Sequence, residues 1–367
     1  MNPPVDFPMN AAIGSCSLLC AGLRVLTVPA MQGESPAALL KRVQAQAKTE
    51  NLQIFHGVLF GDPALRRSVQ GIEWPLSFLG RHDTPKGAFF GGRFEALPVG
   101  HFQWVKGANG CIQGALWEDD ANRFLWAGKI LPSDVNASPA TQAGDVWAQM
   151  ETLLRANGFL PNQIVRTWFY NDHILDWYDD FNAVRTAFFK KHDIFGHFVP
   201  ASTGIGASND RGAALCAAVV AMAPKAKEGA VRLTMAPSPL QCPAYNYKSA
   251  FSRAAACDFT DGRLLFVSGT ASIEPGGRTA HVGNLDKQID LTLCVVNAIL
   301  KASHLEWSDT VRAIAYFPKI EWMEAFERRR IAEKIPAFPF VYAHADICRG
   351  DLMFELELDA VRNAVNK

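Results

Sequence analysis

The chain has 367 residues, 49% of them hydrophobic, with 36 Lys plus Arg against 36 Asp plus Glu. That length supports two or three domains with proper cores. A formal net charge of zero argues against nucleic acid or an anionic membrane as the main partner, because both favour a basic surface.

No stretch reads as a transmembrane span, and no basic n-region precedes the apolar stretch near the N-terminus. A cytoplasmic protein is therefore expected. The eight cysteines are scattered. Cys16 and Cys20 lie close together, but no second pair or nearby histidine completes a metal set. Reduced thiols acting as small hydrophobes are expected.

In chain order, 55–61, 89–93 and 102–105 read as strands without an evident chemical purpose. The densest chemistry follows. Arg166, Trp168, Tyr170, Asp172, Trp177, Tyr178 and Arg185 crowd one strand-loop-helix segment, and the run 200–206 comes after it. The small residues of that run permit close backbone approach to a ligand, and successive N–H groups can hold an anion. Then 264–267 reads as a buried strand. In 288–304, Ile289, Leu293, Val296 and Leu300 fall at helical spacing. Next come a strand at 310–317 and a helix at 322–335, with Met323, Phe326 and Ile331 facing inward, stopped by Pro336 and Pro339. Two further strands, 340–347 and 352–358, close the chain. Strand, helix, strand, helix, strand, strand implies an α+β module: a mixed sheet with both helices on one face.

That module occurs twice. Gln142, Leu154, Val165, Arg166 and Tyr170 return as Gln288, Leu300, Val311, Arg312 and Tyr316 at one constant interval. Trp177, Phe181 and Arg185 return as Trp322, Phe326 and Arg330 with one residue fewer between. One module runs to about residue 225, carrying a long divergent N-terminal extension; the other spans 226–367. A site is expected where the copies meet. Trp177 and Phe181 recur, as fold residues should. Arg166 and Arg185 recur too, so structure and ligand contact are balanced for them. Thr203 and Gly204 have no close counterpart, which points to function.

Strand alternation puts Glu355 and Glu357 on one face and Phe354, Leu356 and Leu358 on the other. An acidic face commonly looks at solvent. Turned into the seam between copies, Glu355 would lose solvation, and its raised pKa would suit a general acid near neutrality. Walker, HExxH, nucleophile-elbow and kinase motifs are missing, and Gly204-Ile205-Gly206 lacks the third glycine of a dinucleotide fingerprint. No cofactor and no metal are expected.

The stretch 288–361 resembles the RidA (YjgF) superfamily, whose closing strand is similar to Gly350-Asp351-Leu352-Met353-Phe354-Glu355-Leu356-Glu357. Its Pro-Ala-Arg signature is matched by Pro200-Ala201-Ser202, and the second copy has about Phe340 there, so neither copy keeps the arginine an imine deaminase needs. A wider resemblance is carried by Arg166-Thr167-Trp168-Phe169-Tyr170, Trp177-Tyr178-Asp179-Asp180-Phe181-Asn182, Val184-Arg185, the 200–206 run, Ser252-Arg253 and Ser268-Gly269-Thr270-Ala271-Ser272. Together these resemble the chorismatases, fused RidA-like enzymes that take chorismate to pyruvate and a benzoate or dihydrobenzoate.

The resemblance implies Glu355 as the proton donor to the enol ether. Arg166, Tyr170, Arg185, Thr203, Gly204 and Arg253 would bind the chorismate dianion. It also implies that Cys348 and Ala271 steer the product; a cysteine at the first position resembles subfamilies that form 3-hydroxybenzoate, some with 4-hydroxybenzoate. Three alternatives stay open: a hydrolytic chorismatase releasing a dihydroxycyclohexadiene carboxylate, a RidA-type imine deaminase, and a non-catalytic aromatic-acid binder. RidA proteins form trimers, and a fused chain that mimics one internally is compatible with a monomer.

Overall fold

The computed structural model describes residues 13–18, 20–242 and 250–364. The β-rich runs resolve into three sheets of six strands. The first is built from β1 (Gly14–Ser17), β2 (Arg24–Pro29), β3 (Leu52–Gly61), β4 (Leu76–Gly80) and β5 (Phe89–Pro98), with helix α1 (Pro36–Thr49) between β2 and β3. Ser35 caps α1 by accepting a bond from the Ala38 N–H, and Pro36 opens it, so the start of this helix is written locally.

The second sheet holds β6 (Gln103–Lys106), β7 (Ile112–Glu118), β8 (Asn122–Ile130), β9 (Ile164–Asn171), β10 (Ala201–Ile205) and β12 (Leu215–Pro224). Helices α2 (Pro139–Ala156) and α3 (Ile174–Lys191) flank β9 in sequence, and the short β11 (Ser208–Asn209) pairs with β4 of the first sheet. The third sheet comprises β13 (Arg232–Ala236), β14 (Ala254–Phe259), β15 (Gly262–Ala271), β16 (Thr310–Phe317), β17 (Phe340–His344) and β18 (Glu355–Asn363), with α4 (Leu285–Ala302) and α5 (Met323–Ala332). In every sheet one parallel pair (β3–β4, β9–β10, β16–β17) sits beside antiparallel neighbours, so the sheets are mixed, as expected for the α+β class.

Second and third sheets share one strand order: β6-β7-β8-β12-β9-β10 against β13-β14-β15-β18-β16-β17. The first sheet has the same inner order, β2-β5-β3-β4, with a 3-10 turn at Pro63–Ser68 where the others place a second helix. Among the described residues, the part of the chain before about residue 100 thus forms a further sheet of the same plan. The expected boundary near residue 225 falls between β12 and β13, and two sheets precede it.

Register makes the equivalence residue by residue. Phe60 pairs with Gly91, Tyr170 with Cys216 and Tyr316 with Glu355. Four residues upstream of each aromatic, His56 pairs with Glu95, Arg166 with Val220 and Arg312 with Asp359. By the same reckoning Ser202 (opposite Thr167) and Phe340 (opposite Ala313) are equivalent, as the sequence alignment had it.

The helices cover one face of each sheet. Along β9, Ile164 and Phe169 join the core under α2 and α3, whereas Trp168 and Tyr170 join a core shared by all three sheets. Under the helices, the Trp147 ring lies 5.1 Å from Phe169 and 4.4 Å from Phe188. On α4, Ile289, Leu293, Val296 and Leu300 are buried as their spacing predicts. Ile331 departs from expectation: it is 63% exposed. Five residues beyond Phe326, it has turned away from the face that Phe326 and Met323 bury. No helix among the described residues is long and apolar enough to cross a membrane.

Where the inner faces meet, charge replaces hydrocarbon. Arg93, Arg166, Arg312, Glu95, Glu357, Asp359 and His56 are all fully buried. Arg312 grips Asp359 with two bonds of 2.7 Å and Glu357 Oε1 at 2.6 Å. Arg166 Nη2 reaches Glu357 Oε2 at 2.8 Å, and His56 Nδ1 pairs with Glu95. Three arginines thus face three carboxylates, which offsets the large penalty for burying any of them alone.

Candidate active site

Glu355 opens β18, opposite Tyr316 on one side and Ala271 on the other. This position is the one that holds Cys216 in the second sheet and Gly91 in the first, so a single inter-sheet seam carries an acid there. The acidic strand face does not look at solvent: Glu355 is 5% exposed and Glu357 is fully buried.

The two carboxylates, two residues apart on one face, are driven in opposite directions. Burial pushes the Glu355 carboxyl up to about 8, the negative charge of Glu357 adds to the rise, and Arg253 and Arg166 oppose it. Burial acts upward on Glu357 too, but Arg312, Arg166 and Arg93 outweigh it and hold that carboxyl at about 2. One acid therefore keeps its proton at neutral pH while its neighbour stays ionised, the separation expected of an acid and a fixed counter-charge.

The seam is sewn by the 200–206 run. Ser202 N–H donates to Ser268 Oγ at 2.9 Å, and Ser268 Oγ donates to the Ser252 carbonyl at 2.6 Å. Ser252 N–H donates to the Pro200 carbonyl at 2.9 Å, which fixes the residue before Arg253, just ahead of β14. Thr203 Oγ1 accepts from Arg166 Nη2 at 2.7 Å and from the Gly269 N–H at 3.0 Å, and its hydroxyl bonds to Glu357. A Cβ at Gly269 would overlap Glu355 Oε1, so the acid would have to shift from its present position. We expect Gly269→Ala to lower turnover at least tenfold while the far-ultraviolet circular dichroism stays unchanged; unaltered turnover would show that Glu355 has another working position.

One pocket gathers Tyr178, Arg185, Ser202, Gly204, Phe251, Arg253, Gly269, Ala271, Ile273, Cys348, Arg349 and Glu355. A wider cleft shares Tyr178, Cys348 and Arg349 with it and is bordered by Trp177, Asn182 and Thr186 of α3. The guanidiniums of Arg185 and Arg253 each stand 5.5 Å from the Phe251 ring centre. Arg185 is held from behind by Asn182 Oδ1 at 2.5 Å and by Tyr178. Burial pushes the Cys348 thiol up to about 12, so it is a neutral group beside Glu355 and Tyr178.

Of the residues expected from sequence, Glu355, Arg185, Gly204, Arg253, Cys348 and Ala271 meet in this pocket. Arg166 and Thr203 stand one layer behind, tied to Glu357. Tyr170 is buried in the shared core, in the aromatic position equivalent to Tyr316 and Phe60, and does not line the pocket. Tyr178 lay inside the chemistry-rich segment without being singled out. Phe251, Ile273 and Arg349 carried no sequence signal of their own.

No protein-family model matches the chain. A 3-hydroxybenzoate synthase of Streptomyces hygroscopicus is 28% identical over 288 residues, which cover 69% of this chain and 79% of the relative. Among solved structures, a chorismatase matches with a TM-score of 0.59 and 20% identity over 84% of this chain and 92% of that one. The YjgF gene product of E. coli matches over 35% of this chain and 98% of its own, at 20% identity and a TM-score of 0.28.

The class is thus α+β, a mixed sheet with helices on one face repeated along one chain, with a buried acid and two guanidiniums at a seam between repeats. Its fold is that of the solved chorismatase. In sequence the chain is similar to the 3-hydroxybenzoate synthase, and in fold it is similar to the chorismatase.

Proposed function

We propose that this chain cleaves the enolpyruvyl ether of chorismate to pyruvate and 3-hydroxybenzoate, with Glu355 as general acid. The observation that carries the reading is a protonated, buried Glu355 in a pocket that also presents Arg185 and Arg253. Chorismate is a dianion whose two carboxylates suit two guanidiniums in a site largely closed to water. The Glu355 proton goes to the methylene carbon of the enol ether, and the positive charge left behind is an oxocarbenium ion. The carboxylate formed on Glu355 then stands close to that cation and stabilises it. Arg166 and Thr203 act through Glu357 and Gly269, setting the position of the acid.

Two fates follow from the cation. Water can add, releasing pyruvate and a dihydroxycyclohexadiene acid, with one water consumed. Alternatively the neighbouring ring hydroxyl attacks the ring carbon that bears the ether, that C–O bond breaks to release pyruvate, the hydroxyl proton returns to the Glu355 carboxylate, and ring opening with aromatisation delivers hydroxybenzoate with no net water taken up. Cys348 and Ala271 line the ring side of the pocket in this reading, and a neutral thiol that takes up space a water would otherwise occupy favours the internal route. The relative's printed name supports the same product. The absence of an arginine at Ser202 and Phe340 weighs against an imine deaminase.

The test is incubation of the purified protein with chorismate in the presence of a chelator, with products separated by chromatography. Pyruvate with 3-hydroxybenzoate is expected. A dihydroxy acid would overturn the role given to Cys348, and a lack of pyruvate would overturn the function. Cys348→Ala is expected to divert at least a tenth of the product to the dihydroxy acid, because removing the sulfur opens space for about one water.

A further inference from the structure

We propose that His82, Asp172 and His173 form a site for one divalent ion of the zinc, nickel and copper class, outside the catalytic pocket. The ligand atoms of these three side chains all lie within 4.8 Å of one another. The His82 and His173 rings stack at 4.4 Å with 18° between their planes. His173 Nδ1 and Asp172 Oδ1 are 2.9 Å apart, and Ser208 Oγ donates to the same oxygen at 2.6 Å, orienting the carboxylate as an outer partner orients a metal ligand. None of the three lines the catalytic pocket, so the inference does not depend on the function proposed above.

The donors come from two sheets' worth of chain, and both loops are anchored. His82 follows Arg81, whose N–H donates to the His344 carbonyl at 2.7 Å and whose Nε holds Asp346 at 2.7 Å. Asp172 directly follows β9, its N–H bonded to the Ala214 carbonyl at 2.8 Å. His173 has φ 50°, a left-handed turn that sets up the first turn of α3. Both histidines are exposed, so an ion reaches them without a conformational change. Two imidazole nitrogens with one carboxylate oxygen are borderline donors that select zinc, nickel or copper over magnesium and calcium, which prefer all-oxygen sets. Small adjustments of exposed ring torsions bring donors already this close to ligand distances.

Occupancy would also clamp α3. The Asp172 carbonyl accepts from Trp177 Nε1 at 2.8 Å, and α3 goes on to present Tyr178 and Arg185 to the pocket. An ion bridging His82 to Asp172 and His173 ties the root of that helix to the first sheet.

The test is calorimetric titration of chelator-treated protein with zinc chloride, in wild type and in a His82→Ala/His173→Ala double variant. One equivalent bound by wild type is expected, with affinity at least tenfold weaker in the variant. No binding, or equal affinity in both proteins, overturns the proposal, the latter by placing the ion elsewhere. A second readout needs no variant: copper(II) added at one equivalent to wild type should show nitrogen hyperfine splitting from imidazole in its paramagnetic resonance spectrum. A spectrum without nitrogen coupling overturns the proposal as well.

Discussion

Glu355→Gln lowers turnover of chorismate by about 10²–10⁴-fold, the range expected when a general acid is removed, and leaves binding affinity within a few-fold. Glutamine keeps the shape and a hydrogen-bonding end but cannot give up a proton to carbon. The guanidiniums of Arg185 and Arg253 remain, so the dianion is still held. The wild-type pH profile carries the same information. Glu355 has its folded pKa raised to about 8, so the active, protonated form dominates below that value and turnover falls as pH rises through it. A glutamine variant as fast as wild type, or a wild-type rate that climbs between pH 7 and 9, would sink the assignment.

The second large effect belongs to Glu357→Gln. Glu357 lies between Arg166 at 2.8 Å, Arg312 at 2.6 Å and Arg93 at 3.9 Å. Removing its charge leaves buried arginines short of a partner, which costs about 3–5 kcal/mol of stability. It also acts on chemistry. The Glu357 charge helps to raise the Glu355 pKa, whereas Arg253 and Arg166 lower it. With that charge gone, the cations dominate, the pKa of Glu355 drops, and the descending limb of the rate profile moves to lower pH. Denaturant unfolding reads the first effect and the pH dependence of kcat reads the second. A variant destabilised as expected but with an unmoved limb would confine Glu357 to structure. A conservative Glu357→Asp variant should restore part of both.

Much of this was legible in the chain. Helical spacing gave α4 its buried face, and the constant interval between copies exposed the shared plan of the second and third sheets. It did not expose the first sheet. There the equivalent positions hold His56 for arginine and Phe60 for tyrosine, and a 3-10 turn stands for the second helix, so the residues that revealed the other two copies are not repeated. Strand alternation placed Glu355 and Glu357 on one face but left open whether that face was wet. For Arg166 the repeat could not choose between structure and ligand, and spacing could not foresee its bond to a carboxylate 191 residues away.

The sequence by itself determined the periodic modules, the mixed-sheet plan and the family resemblance, because spacing along a strand or helix is a local property. The tertiary structure alone decided which residues share the pocket and which carboxylate keeps its proton. Both outcomes depend on desolvation and on charges brought together by the meeting of three sheets, and no local spacing encodes either.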